Sequence, residues 1–188
     1  EITRAIFVDD MTGDDLGLGT MQNPMKTIGA ALEKAYEEEK DIYVGIGIYL
    51  EQIELREGVN IYGGYDAQNQ WQRVDDVRTE VVATHHVILA EEIMEDTEVQ
   101  RLHIRSEDNL EWGASSYAVV IVNSLGVILH DNLIESGRGG TGLAGENGSA
   151  GSIGVNGSDG LDALDSANTF QDCNSRQGGV HGARTCMD

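Results

Sequence analysis

The hydrophobic residues near the start of the chain recur with a helical period. A short apolar run, Ala5–Val8, and a turn-rich stretch precede Thr27, whose hydroxyl makes it a suitable helix N-cap. Residues three and four apart share one face of a helix, so the apolar positions that follow predict one amphipathic helix. These positions are Ile28, Ala31, Leu32, Ala35 and Tyr36.

From Asp41 onward the pattern changes to short β-strands. Runs rich in Ile, Val and Tyr alternate with Gly, Asn, Asp and Ser, and no second helical pattern intervenes before Ser136. Many short strands without crossover helices predict a sandwich, a barrel or a β-solenoid, and the spacing of the later runs favours the solenoid. We expect one continuous interior, lined by Val44, Ile61, Leu102, Ile121 and Ile128.

Beyond Ser136, glycine falls at every third position over a long stretch. A three-residue period is that of polyproline-II and polyglycine-II helices, in which a column of glycines lets another backbone approach closely. We predict an extended segment that packs against a neighbour, with a flexible Gly-rich linker as the alternative. The chain thus divides into a β domain (1–136), this Gly segment (137–165) and a tail (166–188). The register glycines are Gly139, Gly142, Gly145, Gly148, Gly151, Gly154, Gly157 and Gly160.

The charge balance narrows the classes of partner and compartment. The 188 residues carry 33 Asp and Glu against 12 Lys and Arg, a net charge of -21, which excludes a basic face for nucleic acid. No apolar stretch is long enough to span a membrane. Cys173 and Cys186 suit a small disulfide loop better than a four-ligand metal site, with two free thiols as the alternative. Together with the acidity, this disulfide predicts an extracellular or cell-surface protein.

A series of short motifs gives the first 135 residues a family resemblance. The motifs are, in order, Phe7-Val8-Asp9, Gly13-Asp14-Asp15, Asn23-Pro24, Gly47-Ile48-Tyr49, the stretch 58–66, Trp71 and Arg73. They resemble the N-terminal part of secreted right-handed parallel β-helix proteins of the pectin-lyase-like superfamily, some of which carry Gly-rich C-terminal extensions. The resemblance implies a mainly β fold, a short right-handed parallel β-helix with an N-terminal capping helix. The superfamily includes polysaccharide lyases, hydrolases and inert surface proteins.

Two clusters are candidate binding sites. Asp9, Asp10, Asp14 and Asp15 surround a tight turn and offer the hard oxygen ligands that Ca²⁺ prefers; a solvated acidic turn is the alternative. The aromatic residues Tyr62, Tyr65 and Trp71 follow a Gly-Gly turn and would make a sugar-stacking platform or, alternatively, pack a loop onto the strands.

The remaining polar residues give no active site. His103 and His130 with Asp131 could form an acid/base pair, but outward positions on strands explain them better, and there is no Gly-x-Ser-x-Gly motif. We therefore predict a non-catalytic extracellular structural protein that self-associates into a layer, matrix or filament. The alternative is a carbohydrate-binding or polysaccharide-degrading domain.

Overall fold

The computed structural model describes residues 4–159. One compact unit extends to Leu143, and the described residues after it, 144–159, contain neither helix nor strand. The first unit contains the helix α1 (Ile28–Glu38) and the strands β1 (Ala5–Val8), β2 (Asp41–Gly45), β3 (Ile48–Leu50), β4 (Ile53–Glu54), β5 (Ile61–Asp66), β6 (Gln72–Arg73), β7 (Thr79–Ala83), β8 (His86–Glu91), β9 (Thr97–Gln100), β10 (Leu102–Ser106), β11 (Tyr117–Val122), β12 (Val127–His130) and β13 (Leu133–Glu135).

The strands join three sheets in strict rotation. Sheet 1 has the order β1-β2-β5-β9-β12, sheet 2 the order β3-β7-β10-β13, and sheet 3 the order β4-β8-β11. From β2 onward the chain visits sheets 1, 2 and 3 in turn, and every pairing is parallel except the short hairpin of β6 with β5. The prediction of a mainly β fold with short strands and a single helix is therefore confirmed for the described residues.

Apolar residues stack in register between successive strands and form the core. In sheet 1, Ile42 lies opposite Ile61, and Ile61 lies opposite Val99; all three are fully buried. In sheet 2, Val81 and Ile104 pair in the same way. These residues are β-branched, and such side chains pack well on a pleated surface.

The predicted interior is correct at three of its five positions and differs at the last two. Val44, Ile61 and Leu102 are buried. Ile121 stacks on the buried Ala90 but is 47% exposed, because no strand follows it in the described part of sheet 3. The prediction for Ile128 is wrong, since it pairs with Glu98 on the outer face of sheet 1.

Single residues with left-handed backbone conformation turn the chain between sheets. Arg101 (φ 56°) connects β9 to β10, and Asp131 (φ 53°) occupies the same corner after β12. Glu92 (φ 56°) and Asn123 (φ 48°) follow β8 and β11 in the same way. Because a residue with a Cβ rarely adopts a positive φ, these corners are conformationally costly positions, and neighbouring turns must hold them.

Helix α1 covers the N-terminal side of the core. Thr27 accepts a hydrogen bond from the Ala30 backbone as the predicted N-cap, and the buried face of α1 packs against β1, β2 and β4. Tyr36 is 56% exposed and does not belong to that face, contrary to the periodic pattern. The free edge of β1 is also covered, because Phe7 and Asp9 exchange backbone hydrogen bonds with the segment 19–25.

Candidate functional site

The last strand of each sheet leaves one edge without a strand partner in the described part of the chain. β12 ends sheet 1, β13 ends sheet 2 and β11 ends sheet 3. We call these three the terminal strands. Their free edges present backbone N–H and C=O groups that can pair with another chain.

The inward-facing side chains of the terminal strands continue the core to the surface. In sheet 2, Val81 and Ile104 are fully buried, whereas Ile134, which stacks directly on Ile104, is 44% exposed. In sheet 1, Leu129 stacks on the buried Val99 but is itself only partly buried. We call this uncovered set the terminal layer; it comprises Val119, Ile121, Val127, Leu129 and Ile134, each paired in register with a buried residue.

The terminal strands carry little charge. Glu135 is their only acidic residue, in a chain with 33 acids. Its carboxylate lies 2.6 Å from His103 Nε2 on the outer face of sheet 2 and so points away from the terminal layer. Edge strands are usually protected by charged side chains, and that protection is largely missing here.

Charged corners hold the terminal strands onto the preceding ones. The Asp131 carboxylate contacts the guanidinium groups of Arg78 (3.0 Å) and Arg101 (3.2 Å). The Arg78 hydrogen bond is the main cause that lowers the pKa of Asp131, and Arg101 adds to it. Asp131 therefore makes no acid/base pair with His130, whose Nδ1 lies 2.6 Å from the Gln100 amide.

The residues directly after β13 dock onto a neighbouring loop. Asn109 and Gly113 donate backbone hydrogen bonds to carbonyls at 138 and 141, and Gly140 donates to Ala114. A Cβ at Gly140 would overlap the Glu111 carbonyl oxygen, and one at Gly137 would overlap residue 107. Gly137 and Gly140, the two glycines that this contact requires, do not belong to the predicted three-residue register. Gly139 does belong to it, and a Cβ there would lie 3.1 Å from the Ala114 carbonyl oxygen, a tight contact.

The register glycines that follow are open. A Cβ built at Gly142, Gly145 or Gly148 would meet no atom within 4 Å among the described residues. The described residues from 141 onward are almost all exposed, including Leu143 (80%) and Ile153 (94%). Gly151, Gly154 and Gly157 lie in the same extended stretch, and Gly160 lies outside the described residues. Close packing through this column therefore stays a prediction.

Two of the four predicted Ca²⁺ ligands hold the turn that follows β1. Asp9 is buried, and its carboxylate accepts hydrogen bonds from the Thr12 backbone and hydroxyl. Asp10 accepts a hydrogen bond from the Ile48 backbone through Oδ2, while its Oδ1 is buried with no hydrogen-bond partner among the described residues. Both carboxylates thus connect the turn to nearby backbone.

The other two predicted ligands serve local capping. Asp14 accepts from the Leu16 backbone, and Asp15 accepts from the backbone and hydroxyl of Thr27, the helix N-cap. Among residues 4–159, no group of three or more metal-ligating side chains has an arrangement that could hold a metal ion. Ca²⁺ binding by these four residues stays a prediction.

The predicted aromatic platform exists as a cluster, but its surfaces are used internally. Tyr65 stacks on Tyr43 with ring centroids 4.6 Å apart, and Tyr62 meets the edge of Tyr43. Trp71 is only 8% exposed and packs edge-on against Phe7. Sequence reasoning missed Phe7 and Tyr43, which the alternation along β1 and β2 places on the outer face of sheet 1.

A cation and several hydrogen bonds complete this cluster. The Arg73 guanidinium lies over both Tyr62 and Tyr65, 5.8 and 5.4 Å from the ring centroids. The Trp71 indole donates to the Met21 carbonyl. Burial raises the pKa of Tyr65 to about 12. These contacts fit the packing alternative, and glycan binding here stays a prediction.

Comparison with known proteins finds no matching family, no matching curated protein and no matching solved structure. The predicted disulfide, Cys173 with Cys186, lies outside the described residues. Within residues 4–159, no helix is both long and apolar enough to cross a membrane.

Proposed function

We propose that this chain is a short right-handed parallel β-helix that associates with a second copy of itself through its C-terminal end, as a non-catalytic structural subunit outside the cell. The strict rotation of the chain through three parallel sheets supports the solenoid. The right hand follows from the strong preference of parallel crossover connections. Handedness and the likeness to pectin-lyase-like proteins are part of the proposal.

The difference between the two ends of the strand stack is the observation that carries the proposal. At the first end, Ile28, Leu32 and the rest of the apolar helix face cover the core, and the segment 19–25 covers the edge of β1. At the other end, the terminal layer continues the same apolar columns, and Ile121 and Ile134 there remain 47% and 44% exposed although each stacks on a buried residue. Solenoids require a cap or a partner at such an end.

A second copy fits this end for reasons of charge and symmetry. Like charges oppose association of a chain with a net charge of -21, so a self-association surface must be poor in acids, and the terminal strands are. Because α1 blocks the other end, two copies meet with their terminal layers facing each other, as an isologous dimer. The open glycine column around Gly145 and Gly148 offers a second contact through which dimers would extend into a polymer.

Light scattering across a concentration series tests the proposal on the whole chain. We expect the mass to rise from that of one chain, 20.3 kDa, to twice that value or more, at an ionic strength that screens the acidic surface. A mass that stays at 20.3 kDa at every concentration would contradict self-association. A parallel screen against acidic and neutral polysaccharides, with saturable binding or turnover, would support the carbohydrate alternative instead.

A further inference from the structure

Asparagine is followed by glycine at only two places in the chain, and both lie in the Gly segment. They are Asn147-Gly148 and Asn156-Gly157, each followed by serine. The two pairs are nine residues apart, a whole number of three-residue periods, so both asparagines immediately precede a register glycine. In a helix with three residues per turn they would project on the same side.

Both Asn-Gly pairs lie in exposed chain outside any helix or strand. Asn147 and Asn156 are exposed and belong to no helix or strand. At Gly148, no atom of residues 4–159 other than the immediate chain neighbours lies within 4 Å of the place that a Cβ would fill. A glycine nitrogen without a neighbouring Cβ is the backbone amide that most easily reaches the side-chain carbon of the preceding residue.

Two asparagines beside strands are held in place and serve for comparison. The Asn60 side chain donates to Asp41 and accepts from the Glu98 backbone. The Asn132 side chain donates to the Val99 carbonyl and accepts from the Leu102 backbone. The residue after each of them is Ile or Leu at the start of a strand, so the following nitrogen is both hindered and fixed.

We propose that Asn147 and Asn156 are modification sites at which the chain spontaneously forms a succinimide. The backbone nitrogen of Gly148 attacks Cγ of Asn147, a new C–N bond closes a five-membered ring, and the side-chain nitrogen leaves as ammonia. Water then opens the ring at one of its two carbonyls. The products are aspartate, or isoaspartate in which the backbone runs through Cβ; no atom is oxidised or reduced. The same steps apply to Asn156 and Gly157.

The modification changes both the local charge and the three-residue spacing of the glycines, through which the Gly segment is proposed to pack. Each conversion adds one negative charge near neutral pH. Isoaspartate also lengthens the backbone by one carbon, so the register glycines before Asn147 come out of phase with those after it. This consequence rests on the proposed packing of the Gly segment, whereas the chemical step does not. An extended backbone fixed by packing would in turn keep the Gly148 nitrogen from Asn147 Cγ and slow the conversion.

Peptide mapping of the whole chain after incubation at mildly alkaline pH in heavy-oxygen water tests the proposal. We expect the peptides that contain Asn147 and Asn156 to become about 3 Da heavier, about 1 Da from the replacement of the amide by a carboxyl group and about 2 Da from the heavy oxygen, while Asn60 and Asn132 remain unchanged. The variant Gly148→Ala should slow conversion of Asn147 roughly tenfold, because a Cβ now hinders the attacking nitrogen. Asn156 in the same molecule should convert at its original rate and is the internal control.

Two results separate this proposal from the proposed function. Conversion of Asn147 at the same rate as Asn60, or equal rates in wild type and Gly148→Ala, would overturn the succinimide sites. Dilute and concentrated samples of wild type are compared as well, and conversion should be slower in the concentrated one. Equal rates in both would contradict packing of the Gly segment while the chemical sites stand.

Discussion

The substitution Ile134→Lys should weaken the proposed association and leave the fold of the single chain intact. Ile134 stacks on the buried Ile104 and belongs to the terminal layer. It is 44% exposed in the single chain, so the long side chain of a lysine can direct its ammonium group to water. In a dimer that covers the terminal layer, the same ammonium group would be buried without a partner.

The size of the effect follows from the exposed fraction. Full burial of an isoleucine side chain contributes about 1.5–3 kcal/mol. Covering the 44% that Ile134 still exposes therefore contributes about 1 kcal/mol. The residue occurs twice in an isologous dimer, which gives about 2 kcal/mol, or about thirtyfold in the dissociation constant. The buried charge adds to this loss, so thirtyfold is a lower bound.

The chain offers a closely matched control. Ile128 is 43% exposed and also lies on a terminal strand, but it faces outward, opposite Glu98. We expect Ile128→Lys to leave the dissociation constant within about threefold of wild type, because a change at an exposed site is usually worth less than about 0.5 kcal/mol. Sedimentation equilibrium over a range of concentrations measures all three proteins, with circular dichroism to verify that each is folded. Equal dissociation constants for the two folded variants would refute the reasoning.

Four further predictions follow from the same structure. Gly148→Val should leave the melting temperature unchanged, because its Cβ meets no atom within 4 Å among residues 4–159. It should reduce the particle size and the protease resistance of the Gly segment, whereas Ser149→Val should change neither quantity. Equal behaviour of the two variants would contradict a packing role for the glycine register. Ile104→Ala, at a fully buried site, should lower the free energy of unfolding by about 2–5 kcal/mol in urea titrations. The pKa of Asp131 is lower in the folded protein than in the unfolded chain. The ionised carboxylate therefore stabilises the fold above the unfolded-state pKa, and this stabilisation is lost as the pH falls through the folded-state pKa. The difference in unfolding free energy between wild type and Asp131→Asn should shrink in acid, and a difference that does not vary with pH would contradict this. If the acidic turn binds Ca²⁺, EDTA should lower the melting temperature and Asp14→Asn should abolish that sensitivity; an EDTA-insensitive transition would leave a solvated turn.

Local patterns were sufficient to predict the helix and most strands. The helix start was readable because Thr27 combines a capping hydroxyl with the apolar period that follows. The interior positions Val44 and Ile61 were readable because their strands alternate between buried and less buried residues. Such features depend on the residue and its near neighbours, which is the information that a single sequence carries.

Other features depend on distant contacts and could not be predicted. The run Val127-Ile128-Leu129 is apolar throughout, so no alternation shows which residue faces the core, and a one-residue error reverses the answer. Arg101 turns a corner that glycine, asparagine or aspartate would be expected to occupy. Gly140 is required only because the Glu111 carbonyl approaches it, and that approach is a tertiary event.

Hydrogen exchange of the terminal strands at low and high protein concentration tests most directly that copies meet at this end. In a single chain, the backbone amide hydrogens at the free edges of β11, β12 and β13 and in the adjoining turns exchange rapidly. Pairing with a second copy slows their exchange. Our account predicts that concentration slows exchange in these strands and leaves α1 and β1 unchanged. Exchange in the terminal strands that is the same at both concentrations, under conditions where the measured mass has doubled, would show that the copies meet elsewhere and would contradict the account.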